Sequence, residues 1–230
     1  MDDNYQVLIV GAGILIIPGD ESPEVYGDVL DSILLAQLVA NKNSEKPSPL
    51  NWYDVYASVL DDFWLRQQRS KQTWQINNSM SQSALTFFST GLSNDAWPDS
   101  AIIGDVLARA ARICGDDPAL QKLRSAMKRP VALDTPSASS GVHLLVVVAH
   151  SPTSFSSGFI EFTAQVELSQ NPFQQTYQPE DIQGLVHVRH ARAALAEMRY
   201  SGAREAIARK VRDKVADNVT RLNLPKEISA

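Results

Sequence analysis

The stretch from Val7 to Ile17 restricts this chain more than any other. It is apolar, rich in β-branched residues, broken only by Gly11 and Gly13, and stopped by Pro18. Such a run must leave water, and β-branching favours extended backbone over helix. It reads as a buried strand, or as two short strands about a glycine bend. The same stretch opens like a dinucleotide-binding fingerprint, a strand followed by Gly-x-Gly. That fingerprint needs a third small residue where the helix packs on the strand, and a helix N-terminus for the pyrophosphate. Here Ile16 takes the third position and Pro18 intervenes before a helix can grow. A glycine bend is the better reading, and no nicotinamide cofactor is expected.

The rest of the chain supplies what that run must pack against. Apolar residues recur at helical spacing over Glu24–Asn41, Asn51–Phe63, Ser81–Leu92, Ser100–Cys114 and 117–128, then near Arg189–Glu197 and Ser201–Leu222. Asn51 is placed to cap the second of these helices, and Pro118 suits a first turn. Gly115 fits a helix C-terminus that needs positive φ. Polar, Gln-rich residues 64–76 suit an exposed strand, and Val142–Ala149 reads as a strand buried on both faces. Phe159–Leu168 alternates, with Ile160, Phe162, Ala164, Val166 and Leu168 facing one way, as in a half-exposed strand reached by a long hairpin. Strands interrupt runs of helices instead of alternating with them. The expected class is therefore α+β: a mainly antiparallel sheet, with strands near 5–17, 64–76, 142–150 and 159–168, packed with about seven helices. A single domain over residues 1–230 is expected, with a flexible connection at 130–141, where Pro, Ser and other small residues concentrate.

Composition closes off several functions. At 44% hydrophobic and 20% charged residues, the chain can build a core, and bulk disorder is excluded. The acidic start lacks the positive charge and cleavage site of a secretory signal, and the Val7–Ile17 run is too short to span a bilayer. A cytoplasmic location, or export without a leader of that kind, is expected. The net charge of −5 is uneven. Residues 1–62 carry a balance of −9, and residues 189–226 one of +6. Attraction between the two ends within the fold accounts for this more simply than nucleic acid, which a single basic helix in a chain of pI about 5.4 does not suggest.

Few residues carry chemistry. His187 and His190 stand three apart, a metal pair if the segment is helical, with His150 the main further ligand and His143 and Glu197 behind it. A metal centre on His150, His187 and His190 is thus the enzymatic alternative. No Gly-x-Ser-x-Gly elbow surrounds any serine, so Ser151, Ser154, Ser156 and Ser157 read as turn residues. The adjacent Asp61 and Asp62 are not distinctive among 26 acids. Cys114, the sole cysteine, excludes an intrachain disulfide. Its position near a helix end suits a buried, inert thiol, although Arg109 and Arg112 nearby favour a thiolate, and acylation is the functional alternative.

Three segments also resemble a known family. They are Ile33 to Lys42 with Leu-Leu-Ala-Gln-Leu at its centre, Trp52-Tyr53-Asp54-Val55-Tyr56 with Val59-Leu60, and Tyr200 to Leu222. Together they resemble the Evf-type virulence factors. The resemblance implies a mixed α/β fold, a role in persistence within a host, and fatty acylation of a cysteine, although Cys114 matches no acylated position. It brings no catalytic residues. The expectation is thus a non-enzymatic protein that meets a host or membrane surface and holds a lipid or acyl chain, with no other cofactor. A histidine-based enzyme and an assembly subunit pairing through strand 64–76 are the alternatives.

Overall fold

The computed structural model describes residues 5–46, 48, 50–75, 82–83, 99–129 and 139–226. The opening run forms two strands, β1 (Tyr5–Val10) and β2 (Gly13–Pro18), paired antiparallel about the Gly11–Ala12 turn. Gly11 adopts φ +55°, a conformation glycine enters without a Cβ penalty. The Gly11 amide donates to the Asn218 carbonyl (2.8 Å) and the Leu145 amide to the Ala12 carbonyl (3.0 Å). The buried Gln37 side chain accepts from the Ala12 amide (2.9 Å) and donates to the Val10 carbonyl (2.7 Å). The Gly11 and Ala12 amides are therefore both engaged within the fold.

The hairpin joins a larger sheet. In chain order follow helices α1 (Gly27–Ser44) and α2 (Trp52–Asp61), strand β3 (Trp64–Trp74), the two-residue β4 (Gln82–Ser83), and helices α3 (Ser100–Ala110) and α4 (Pro118–Met127). Then come β5 (Lys128–Arg129), β6 (Ser140–Ser151), β7 (Ser154–Ala164), β8 (Thr176–Tyr177) and β9 (Ile182–Leu195), with α5 (Glu197–Tyr200), α6 (Arg204–Asn218) and β10 (Val219–Arg221) last. The main sheet runs β10-β1-β2-β6-β7-β9-β3, with β5 against β6; β4 and β8 pair separately. Among the described residues only the β2–β6 pair is parallel. The α+β class with a mainly antiparallel sheet therefore holds, with six α-helices among the described residues.

Period-two alternation sends side chains to two separate cores. Val7, Ile9, Ile14, Ile16, Leu144 and Val146 meet α3 and α4 on one face. Leu8, Val10, Leu15, Ile17, Leu145 and Val147 meet α1, α2 and α6 on the other. The caps follow expectation: Asn51 accepts from the Asp54 amide, and Asp117 from the Ala119 and Leu120 amides behind Pro118. Arg204, from the basic end of the chain, pairs with Asp28 from the acidic start at 3.0 Å, the internal attraction that the charge distribution suggested.

Several local expectations change. The segment near Arg189–Glu197 is not helical up to Leu195 but lies in β9. Its alanines look helical, yet β7 and β3 flank it and satisfy both backbone edges, so pairing overrides propensity. The last helix stops at Asn218, and β-branched Val219 and Thr220 turn into β10 against β1. The β6–β7 connection is a tight turn, so β7 begins at Ser154; Phe155–Phe159 is buried on both faces, while Ile160–Ala164 keeps the expected alternation, with Glu161 and Thr163 partly exposed. Gly115 has no positive φ; its hydrogen instead leaves room for Gln170, which a Cβ would meet at 2.7 Å. The helix expected over Ser81–Leu92 lies outside the described residues except for β4, and so does most of the 130–141 connection, whose last two residues belong to β6.

Candidate functional site

Two depressions adjoin on the α1–α2–α6 face. The larger is an open groove of about 1020 Å³ walled by the second half of α1, the exposed side of α2, and Lys210 and Lys214 of α6. Its floor is apolar: Leu35, Leu38, Val39, Val55 and Val59 line it, with Leu50 at the mouth. Leu50 is 69% exposed, a cost in water unless something covers it. Four lysines stand around this floor, Lys42, Lys46, Lys210 and Lys214, against two carboxylates, Glu45 and Asp54. The volume lies at the upper end of what small-molecule sites usually enclose, roughly 300–1000 Å³.

The smaller depression, about 380 Å³, lies across α2 between that helix and strands β3 and β9. Asp54 and Ser58, one helical turn apart, belong to the walls of both. Here the chemistry is cationic. Arg66 holds Asp61 in a two-pronged contact, Nε to Oδ1 at 2.6 Å and Nη2 to Oδ2 at 2.5 Å. Burial disfavours the Arg66 charge, but the Asp61 hydrogen bonds and neighbouring groups outweigh it, and the pKa rises. Arg189 lies over the Tyr53 ring at 4.7 Å and reaches Asp54 at 2.6 Å. Burial raises the Tyr53 pKa, with Arg66 and Arg189 pulling it back, so the phenol stays protonated.

Beneath α2 a buried cluster fixes the helix to the sheet. The Trp52 ring stacks on His143 (4.6 Å) and Phe159 (5.4 Å), and the Arg129 guanidinium sits 4.9 Å from its centroid. Asn41 Oδ1 accepts from both Trp52 Nε1 (2.7 Å) and Arg129 Nη2 (2.6 Å). Arg129 Nε donates to His143 Nδ1 at 2.9 Å, which places the imidazole proton on Nε2. Burial, then the Arg129 charge, pushes the His143 pKa well below its ordinary value. Burial also lowers Arg129 to about 10, against the opposing pull of Glu161.

The residues singled out in the sequence are scattered. Because β9 is a strand, the three-residue spacing of His187 and His190 sends them to opposite faces, where a helix would have aligned them. His187 approaches Thr73 on the edge strand β3. His190 is buried on the α3 side, with Asp99 near enough to oppose the lowering of its pKa by burial. His150 stands on that side too, its Nε2 2.7 Å from Ser156 Oγ and 3.3 Å from Asp99 Oδ2. Ser, His and Asp meet here, yet both partners face the same ring nitrogen. A serine relay engages opposite nitrogens, and Ser156 is only 1% exposed. Among the described residues, no three of His, Cys, Asp and Glu are arranged to hold a metal. Cys114 is exposed, not buried, past the end of α3 and on the sheet face opposite the groove. Arg109 turns away from it to the Pro225 carbonyl (2.9 Å).

Sequence reasoning missed Arg66, Arg69, Lys71 and Arg189. The first three form an Arg-x-x-Arg-x-Lys run on β3 that could have signalled them, whereas Arg189 on β9 carries no such signal. The segments that carried the family resemblance turn out to be the walls of this region: Gln37 locks the glycine turn, Trp52 anchors α2, and Tyr53 and Asp54 receive Arg189.

Fold and site together define a mixed α/β protein whose layered sheet carries an amphipathic depression on one helical face. No family model and no curated protein matches this chain. Among solved structures it is similar to a delta-endotoxin, at 7% identity over 84% of this chain and 82% of that one, with a TM-score of 0.38. It is also similar to the Evf virulence factor, at 10% identity over 92% of this chain and 82% of that one, with a TM-score of 0.35. The Evf resemblance read from the sequence thus returns as a loose structural likeness, and likenesses at this level carry nothing about function. No helix among the described residues is long and apolar enough to cross a membrane.

Proposed function

We propose that this chain is a non-enzymatic amphiphile-binding protein that acts at a membrane or host lipid surface by taking an acyl chain into the α1–α2–α6 groove. The observation that carries this reading is the groove itself, an apolar floor ringed by four lysines. An acyl chain covers the floor, and each methylene removed from water contributes about 0.8 kcal/mol. The lysines draw an anionic amphiphile or membrane surface to the mouth. Acylation of Cys114 is a separate matter, because that thiol lies on the other face of the sheet and a chain attached there does not feed the groove.

The test is titration of the full chain with a fluorescent sixteen-carbon fatty acid. Saturable binding that drops roughly tenfold or more in Leu50→Glu and Val55→Glu is expected, since either change sets a carboxylate on the apolar wall. Leu50 is mostly exposed, so its substitution spares folding. Failure of the wild-type chain to bind, or equal binding by both variants, refutes the reading.

A further inference from the structure

Beyond the groove, we propose that the arginine cleft across α2 is a headgroup subsite: it receives the phosphate of an amphiphile whose acyl chain occupies the groove. This rests on the groove reading and adds the ligand's polar end. Three observations carry it. The first is contiguity, since Asp54 and Ser58 form a single ridge between the two depressions. A ligand crossing this ridge meets one exposed turn of α2, and Arg189 already neutralises Asp54 there.

The second is the backbone. In β3 the register slips between Gln67, opposite Arg192, and Ser70, opposite His190, so three steps on β3 match two on β9. Strict alternation would send Arg66 and Lys71, five residues apart, to opposite faces. The bulge reverses the parity and brings both to the α2 side, Lys71 directly opposite Arg189. Bulges re-aim side chains in this way, and they recur beside functional sites.

The third is charge. Four cations, Arg66, Arg69, Lys71 and Arg189, face two lining carboxylates, Asp54 and Asp61. Glu161 behind Arg189, at 3.7 Å, still leaves a surplus of positive charge. Asp61 is engaged by Arg66 through both oxygens, so Arg69, whose side chain is 58% exposed, reaches it only at 3.7 Å. Lys71 has no ion pair among the described residues. Arg69 donates its Nε to the Arg66 carbonyl (3.3 Å), so its Nη groups and the Lys71 ammonium hold the donors left over among the described residues. A phosphate monoester, with its oxygens and near-double charge, satisfies an arginine fork and an ammonium together.

The experiment compares two amphiphiles sharing one sixteen-carbon chain, a lysophosphatidic acid and the uncharged monoacylglycerol, with glycerol phosphate as a soluble competitor. The wild-type chain is expected to bind the phosphate-headed ligand roughly tenfold or more tightly than the neutral one. In R69E/K71E that preference disappears while monoacylglycerol affinity is unchanged. R69A/K71A gives an intermediate preference and guards against a folding defect in the charge-reversed variant. Equal wild-type affinity for both amphiphiles overturns the subsite and leaves the groove reading standing. Binding of neither amphiphile refutes the groove and the subsite with it. Glycerol phosphate binding as tightly as the amphiphile, dependent on Arg69 and Lys71, also overturns it, because the cleft would then serve free phosphate esters.

Discussion

The contact between Gly11 and Gln37 supports a quantitative test of how the opening run is held. Replacing Gln37 by alanine strips the Ala12 amide of its acceptor and the Val10 carbonyl of a donor, both inside the fold. A buried polar group left unsatisfied costs about 1–3 kcal/mol, so the variant should lose about 2–4 kcal/mol of stability. Replacing Gly11 by alanine acts differently. A side chain at φ +55° costs about 1–2 kcal/mol of backbone strain. Its Cβ also lands 2.7 Å from Gln37 Oε1, which cannot retreat without giving up its hydrogen bonds. In the wild-type background G11A should therefore cost about 2–4 kcal/mol, whereas with Gln37 already gone only the strain remains. The double variant should fall short of the additive sum by about 1–2 kcal/mol, read from urea unfolding of all four proteins. Strict additivity would refute the argument, since it would mean that Gln37 does not clash with a Cβ at position 11.

Two further outcomes follow from single groups. His143 and His190 both have folded pKa values pushed below the ordinary histidine value, chiefly by burial. The unfolded chain binds protons that the folded chain refuses as pH drops below about 6.5, so each histidine lowers stability by up to about 1.4 kcal/mol per pH unit there. H143Q should flatten the acid limb of a stability–pH curve between about pH 6.5 and 5, and an unchanged slope would show that His143 does not titrate as buried. Cys114, being exposed, should react with Ellman's reagent as one thiol per chain without denaturant. C114S should shift stability by no more than about 0.5 kcal/mol, and a thiol that reacts only after unfolding would contradict its exposure. Intact mass of the chain from its native cells then reports any acyl group there.

The elements legible from the sequence are those whose side chains alone dictate their environment. The apolar run about Gly11 and Gly13, the buried β6 and the capped starts of α2 and α4 each carry local instructions that agree with their final surroundings. The β9 segment differs from its local signal for the opposite reason. Alanines and arginines around 189–197 carry a helical propensity, and only the two neighbouring strands, separated from it in sequence, make extended backbone the better state. The chemistry changes with the backbone, because a His187–His190 pair depends on helical spacing and vanishes at a period of two.

The cationic cleft was hidden by a different mechanism. Arg66 and Arg189 lie 123 positions apart in sequence, and their meeting depends on the β3–β9 pairing. Even a correct strand assignment for β3 would have divided its charges between two faces, since Arg66 and Lys71 differ by an odd number of residues. The bulge supplies the missing step, and no residue between Gln67 and Ser70 announces it: there is neither glycine nor proline there. The apolar groove was concealed more simply. Val55 and Val59 are legible as part of α2's apolar stripe, and in the fold that stripe is wider than the sheet can cover. Its surplus, together with Leu38 and Val39 of α1, stays open beside lysines from α6. That uncovered apolar surface, with four lysines around it, is the feature on which the proposed amphiphile site rests.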